Sequence, residues 1–140
     1  MKILVRAVGK MRDRRLEALC DEYLDRARRH VPVEVGEVET DEALTGKLPH
    51  GTEIVALEPG GESWTTQAFT DHLGERMLRG TKAIAFLIGG ADGLAPATVG
   101  KAHRRLSLSA LTLPHRLARV VLCEQIYRAI SRLRGEPYDR

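Results

Sequence analysis

The sequence predicts an α/β protein with a mainly parallel sheet and helices on both faces. Two observations carry that reading. Lys2–Val8 (KILVRAV) and Lys82–Ile88 (KAIAFLI) are near-continuous apolar runs, the pattern of strands buried on both faces. Amphipathic segments of helical length stand between the strand-like runs, and strands alternating with helices imply parallel strands joined by crossovers. A chain of 140 residues has the length of one domain, taken as 1–140.

The first strand, Lys2–Val8, stops at Gly9. Asp13 then caps a helix whose inner face is Leu16, Leu19, Cys20, Tyr23, Leu24 and Ala27. Val31, Val33 and Val35 alternate with Pro32, Glu34 and Gly36, which makes a second strand, and Pro32 places it at an edge because it cannot donate to a ladder. Thr40–Thr52 reads as a loop with room for one helical turn. Glu53–Glu58 is the third strand, ended by Pro59-Gly60-Gly61. Ser63 to Thr66 offer N-caps for a helix through Arg79, closed by Gly80. The fourth strand, Lys82–Ile88, runs into the turn Gly89-Gly90-Ala91-Asp92-Gly93. Pro96 opens a short helix to about Arg105. Leu106–Leu111 (LSLSAL) alternates apolar residues with serine and reads as the fifth strand. Pro114 opens a last helix, which Gly135 ends. Its apolar surface is wide, from Leu117 through Val121 and Ile126 to Leu133. Such a helix is either central to the core or buries a second face against a partner subunit, and in so small a chain the second is favoured.

Aromatic residues are only 4% of the chain, so aliphatic side chains must build the core. No apolar window approaches the ~18 residues of a membrane span. The N-terminus lacks the apolar stretch and cleavage site of a secretory signal, so a cytoplasmic location is expected. Cys20 and Cys123 have no CxxC spacing and no metal-type neighbours, and are read as buried free thiols. The net charge of +3 is unevenly spread. Residues 1–30 hold 9 basic and 5 acidic side chains, residues 31–100 hold 4 and 11, and residues 101–140 hold 9 and 3. Arginine dominates the basic ends, and its planar fork suits phosphate, so nucleic acid is the leading candidate partner. Solvated helix faces decorated with arginine would give the same count.

Parallel sheets bind ligands at the carboxyl ends of their strands. Three such ends stand out: Leu57-Glu58-Pro59-Gly60-Gly61, Ile88–Gly93, and Ser109-Ala110-Leu111-Thr112-Leu113-Pro114-His115. Glycine turns let backbone approach a ligand closely, so together these ends suggest one pocket lined mostly by main chain. The chain has no GxxxxGK[ST], no GxGxxG after the first strand, no HExxH, no GxSxG and no carboxylate cluster of metal type, so no metal is expected. His30, His50 and His72 read as solvated. His103 lies in the basic stretch Lys101–Arg105, where a solvated ring is the favoured reading and contact with phosphate the alternative. His115 sits in the first turn of the last helix, beside the expected pocket.

Several segments carry a family likeness. Phe86–Leu94, Leu106–His115, Arg119-Val120-Val121 and Glu124–Ala129, with Ala7-Val8-Gly9-Lys10 and Gly135-Glu136-Pro137-Tyr138 at the ends, resemble the ribosomal RNA large-subunit methyltransferase H family of the SPOUT class. The likeness spans essentially the whole chain, and the LSALTLPH block is its most specific part. The segment between Val38 and Glu53 is shorter than is usual in the family.

The resemblance implies a homodimer of SPOUT type with a C-terminal trefoil knot. It implies methyl transfer from S-adenosylmethionine to N3 of a pseudouridine in bacterial 23S ribosomal RNA, on the assembled ribosome. By residue match the cofactor pocket is Leu57, Gly89, Leu108, Ser109, Ala110, Leu111, Thr112 and Leu113, on the three strand ends already singled out. The base must also lose a proton, to a general base or with arginine stabilising the anion. Candidates are His115 and Arg119 near the pocket, and Tyr138 and Arg140 in the tail, which in a SPOUT dimer can complete the other subunit's site. The family tail reads Tyr-His-basic, whereas this one reads Tyr138-Asp139-Arg140. A carboxylate, with ordinary pKa ~3.9 against ~6.5 for imidazole, is the weaker base. A non-catalytic RNA- or ribosome-binding module using the basic ends is the alternative. It would bind RNA with steep salt dependence and no cofactor dependence.

Overall fold

A computed structural model describes residues 1–138 of the chain. Five strands, β1 (Lys2–Val8), β2 (Val33–Val38), β3 (Glu53–Ser63), β4 (Ala83–Ile88) and β5 (Arg104–Ser107), pair in the order β2-β1-β4-β3-β5. Every pairing is parallel, and β2 lies at an edge as Pro32 requires. All six residues of β4 are buried, which is why its sequence is apolar without alternation.

Right-handed crossovers decide which face each connection covers. Helices α1 (Arg14–Arg28) and α2 (Thr66–Leu78) connect strands running one way across the sheet. They share a face with α4 (His115–Leu133), over Ile3, Val5, Ile84 and Phe86. The 3₁₀ turn Glu42–Thr45 and the five-residue α3 (Pro96–Gly100) belong to connections running the other way, towards the opposite face. There Leu44 is fully buried with Leu4, Ala85 and Leu87. Both faces carry helical cover, but all three long helices lie on one. The Arg6 guanidinium fastens the thin cover by donating to the carbonyls of Leu44, Gly46 and Lys47.

Several boundaries differ from the sequence reading. The third strand does not end at Pro59. It continues to Ser63 through a bulge in which Leu57 and Glu62 both pair with Leu106. Gly61 permits this, since a Cβ there would lie 2.7 Å from the backbone of Arg105 and Leu106. The short helix stops at Gly100, and β5 is Arg104–Ser107 rather than Leu106–Leu111. The serines explain the shift: Ser107 Oγ donates to the Ser109 carbonyl, and Ser109 Oγ accepts from the Leu111 N–H, each at 2.9 Å. These local bonds compete with a ladder and turn the chain out of the sheet. Asp13 and Thr65 cap α1 and α2, accepting from Arg15 and Leu16 N–H and from Ala68 N–H.

The wide apolar surface of α4 has its explanation inside the chain. The helix packs against both α1 and α2 and buries Leu122, Cys123, Ile126, Ala129 and Ile130 in the main core. Leu117 and Leu133 remain 43% exposed. Cys20 and Cys123 are buried free thiols. Two histidines depart from the solvated reading. His72 is buried and pairs with Glu53, which also accepts from Arg76 Nε at 2.7 Å. His30 pairs with Glu136 at 3.0 Å. His103 is exposed, but its Nδ1 accepts the Ile54 N–H at 2.9 Å.

Candidate functional site

The start of the β3 bulge, the carboxyl end of β4 and the segment after β5 line a cavity of about 580 Å³. That lies within the range of small-molecule sites. Of the residues matched to the cofactor pocket, Leu57, Gly89, Leu108, Ser109, Leu111, Thr112 and Leu113 line it, and Ala110 does not. Sequence reasoning missed much of the rest of the wall: Glu58, Asp92, Leu106 and Ala118. Glu58 and Asp92 are its carboxylates, and Glu58 accepts from Arg105 at 3.1 Å. Their signal was present, because both sit in the strand-end motifs beside the residues that were chosen.

The walls are built by backbone choices. Gly89 is buried where β4 ends, and a Cβ there would sit 2.4 Å from the Gly93 carbonyl carbon and 2.6 Å from Leu94 N. Gly93 closes the turn at φ 78°, the left-handed region that favours glycine, and donates its N–H to the Gly90 carbonyl at 3.0 Å. On the other side the two serine bonds shape the 107–111 turn and leave Leu111 79% exposed at the rim. Apolar Leu57, Leu106, Leu108 and Leu113 face main-chain turns, a setting for a flat apolar ring with polar edges. A cofactor carrying an adenosine group fits such walls.

His115 begins α4 and lines this cavity, and it also lines a second one beside the β1–α1 loop. Burial, then the neighbouring charges of Arg116 and Arg119, lower its pKa below the ordinary imidazole value. At neutral pH the ring is therefore neutral and can accept a proton.

The structure does not bring the other candidates into the wall. Arg119 is buried one turn further along α4 and faces β1 and β2. It donates to Glu37 Oε2 at 2.6 Å and to the Gly9 carbonyl at 3.2 Å. Burial would raise the Glu37 pKa, but Arg119 and the Met11 N–H outweigh it and hold the carboxyl below its usual value. Tyr138 lies on α4, donating to Glu124 at 2.7 Å, its ring centroid 4.5 Å from that of Tyr127 and 4.9 Å from the Arg128 guanidinium. Burial and the Glu124 carboxylate raise its pKa. Arg140 lies outside the described residues. Among those residues no group of three His, Cys, Asp or Glu could hold a metal ion, and no helix is long and apolar enough to cross a membrane.

An all-parallel sheet with a glycine-walled cavity at the strand ends is the architecture of a ligand-binding α/β fold, and three comparisons place it in the SPOUT class of methyltransferases. The family model described as "Predicted SPOUT methyltransferase" matches residues 1–139. The chain is 45% identical over 143 residues to the ribosomal RNA large subunit methyltransferase H of Sorangium cellulosum, covering 99% of each. It is 40% identical to that of Nitrosospira multiformis, covering 100% of this chain and 99% of the relative. Among solved structures, the TrmH/SpoU tRNA modifying enzyme of A. aeolicus superposes with a TM-score of 0.56 at 16% identity, over 95% of this chain and 75% of that one. A Legionella pneumophila protein described as a methyltransferase in complex with the bound cofactor SAM superposes at 0.51 and 14% identity, over 92% and 66%. At such identities these two likenesses establish the fold alone. The chain belongs to the ribosomal RNA large-subunit methyltransferase H family of SPOUT methyltransferases.

Proposed function

We propose that this protein transfers a methyl group from S-adenosylmethionine to N3 of a pseudouridine in bacterial 23S ribosomal RNA, acting on the assembled ribosome as a cytoplasmic homodimer. The carrying observation is the glycine-walled cavity on three strand ends, in a chain whose full-length relatives bear the name of ribosomal RNA methyltransferases. The trefoil threading of the C-terminal half belongs to the same reading. It is supported by membership of the SPOUT family and by the fold likeness.

When bound, S-adenosylmethionine supplies an activated methyl group on a sulfonium. The Gly89–Gly93 turn and the 107–113 segment bind and orient the adenosine portion, and the apolar walls exclude water. His115, neutral at pH 7 and on the cavity wall, is the side chain placed to take a proton from the base. Arg119 acts as a positioning residue, fixing the β1–α1 loop through Gly9 and Glu37. Tyr138 holds the end of the described chain against α4 by donating to Glu124.

The test is methyl transfer from labelled S-adenosylmethionine to whole ribosomes and to free subunits, with the modified base mapped. Incorporation at one uridine-derived position of 23S RNA, from ribosomes but not free subunits, is the expected result. Absence of cofactor binding to the folded protein in calorimetry would overturn the assignment.

A further inference from the structure

Next to the cofactor cavity lies a second cleft, of about 330 Å³, between the β1–α1 loop and the first turn of α4. Pro114 and His115 line both, so His115 forms part of the partition between them. Arg12 contributes from one side of the cleft and Arg116 from the other.

Arg12 has backbone φ 58°, in the left-handed region where a side chain is disfavoured and glycine is not. The loop is held there from several sides. The Met11 side chain is buried, its N–H donates to Glu37 Oε2 at 2.8 Å, and Arg119 binds both Glu37 and the Gly9 carbonyl. Asp13 is occupied in capping α1 and in pairing with Arg15. These contacts fix the backbone, yet none of them uses the Arg12 side chain. Among the described residues neither Lys10 Nζ nor the Arg12 guanidinium has a protein partner, and Arg116 uses only its Nε, at 3.5 Å from the Lys10 carbonyl. A position where glycine would be cheaper therefore carries an exposed, unpaired guanidinium at the rim of a cleft that adjoins the cofactor cavity.

We infer that this cleft is a phosphodiester-binding site, in which Arg12 and Arg116 grip the backbone of the RNA strand that carries the target nucleotide to His115. The inference deepens the proposed RNA-methyltransferase function and rests on it. It assigns the N-terminal half of the basic charge a definite place: the cleft holds the strand, while the neighbouring cavity holds the cofactor.

The test is equilibrium binding of a short fluorescent single-stranded RNA to the full-length protein across a salt series. Arg12→Gly, Arg12→Gln and Arg116→Gln are compared with the parent. Each lost phosphate contact removes about 0.7 from the slope of log K against log salt, and so about fivefold in affinity near ~0.1 M salt. The double variant Arg12→Gln/Arg116→Gln loses about twice that slope. Arg12→Gly keeps or raises the thermal midpoint, because glycine suits the backbone there. If it fails to fold, Arg12→Gln, which keeps the Cβ, decides the affinity question. Calorimetry with S-adenosylmethionine is unchanged in every variant, and that measurement reports separately on the methyltransferase reading. Parent protein that binds the cofactor but not this RNA, or variants with the parent's affinity and salt slope, would overturn the inference and leave the cofactor assignment standing. Equal competition by polyglutamate would overturn it in favour of an acidic protein partner.

Discussion

Replacing Glu53 by glutamine removes a charge from the amino end of the sheet, opposite the cavity. Glu53 begins β3 with its side chain 12% exposed and accepts from His72 and from Arg76 Nε, the latter at 2.7 Å. Trp64 packs over the His72 ring, with centroids 4.8 Å apart, and Arg104 Nε comes within 3.9 Å of the carboxylate. Burial would raise the Glu53 pKa, but the hydrogen bonds of His72 and Arg76 and their charges outweigh it and lower it from 4.5 to about 2. The difference of about 2.5 pH units, at about 1.4 kcal/mol each, corresponds to about 3 kcal/mol of folding stability. Because the folded value lies below the unfolded one, this contribution is fully present above pH ~4.5 and is lost as pH falls towards ~2. Urea unfolding of the parent and of Glu53→Gln, from neutral pH down to about 2.5, tests this. With a slope of about 2 kcal/mol per molar urea, the neutral-pH midpoints should differ by about 1.5 M, and the gap should close as acid protonates Glu53. Affinity for S-adenosylmethionine should not change in the cold, since the cluster stands at the other end of the sheet. Equal midpoints at neutral pH, or a gap that is constant down to pH 2.5, would refute the reasoning.

Four other perturbations probe the site and its supports. Gly89→Ala places a Cβ 2.4 Å from the Gly93 backbone, so the turn must open; calorimetry should show S-adenosylmethionine affinity down by at least about tenfold, roughly 1.4 kcal/mol. His115→Gln should keep cofactor affinity but remove the ascending limb of the methyl-transfer pH profile, a limb whose midpoint in the parent lies below the usual imidazole value. Glu37→Gln leaves the buried Arg119 without its anion, and because Glu37 is itself 36% exposed the loss should be about 1–2 kcal/mol in chemical denaturation, with faster hydrogen exchange at Met11. Tyr138→Phe keeps the ring packing on Tyr127 and loses only the bond to Glu124; the pH profile of methyl transfer should keep its shape, since a phenol with a raised pKa stays protonated across the neutral range and does not titrate there.

The fold was legible wherever one physical signal dominated. β4 is buried on both faces and reads as one apolar run, and Asp13 stands where the orphan N–H groups of α1 need an acceptor. The boundaries that shifted are places where local and long-range bonds compete. LSLSAL has strand alternation, but its serine hydroxyls reach the nearby backbone first. Pro59-Gly60-Gly61 looks like a stop, and only the arrival of β5, distant in sequence, turns it into a bulge. His72 is the same case: nothing near it in sequence announces that Glu53 and Trp64 will enclose it. The cavity was legible because glycine turns at successive strand ends converge in any parallel sheet. The commitment of Arg119 was not, since Glu37 and Gly9 are brought to it by β2 and β1 pairing side by side.

That commitment changes where positive charge can act on a substrate. A base that loses its N3 proton passes through an anion, and a guanidinium beside it would stabilise that charge. Arg119 has the position along the chain for the task, one turn after His115, but its terminal nitrogens are spent on Glu37 and Gly9. Its effect is on the loop instead, holding Met11 inward and Arg12 outward. The cavity itself is lined by leucines, glycines, hydroxyls and the carboxylates of Glu58 and Asp92. The arginines of the described chain that face open space next to His115 are Arg12 and Arg116, in the adjoining cleft. Cofactor recognition and RNA recognition are, under the proposed function, built from different materials: main-chain turns on one side of His115 and guanidinium groups on the other. Under the proposed function, substitutions on the two sides should separate cleanly, with the glycine turns governing cofactor affinity and the cleft arginines governing the salt dependence of RNA binding.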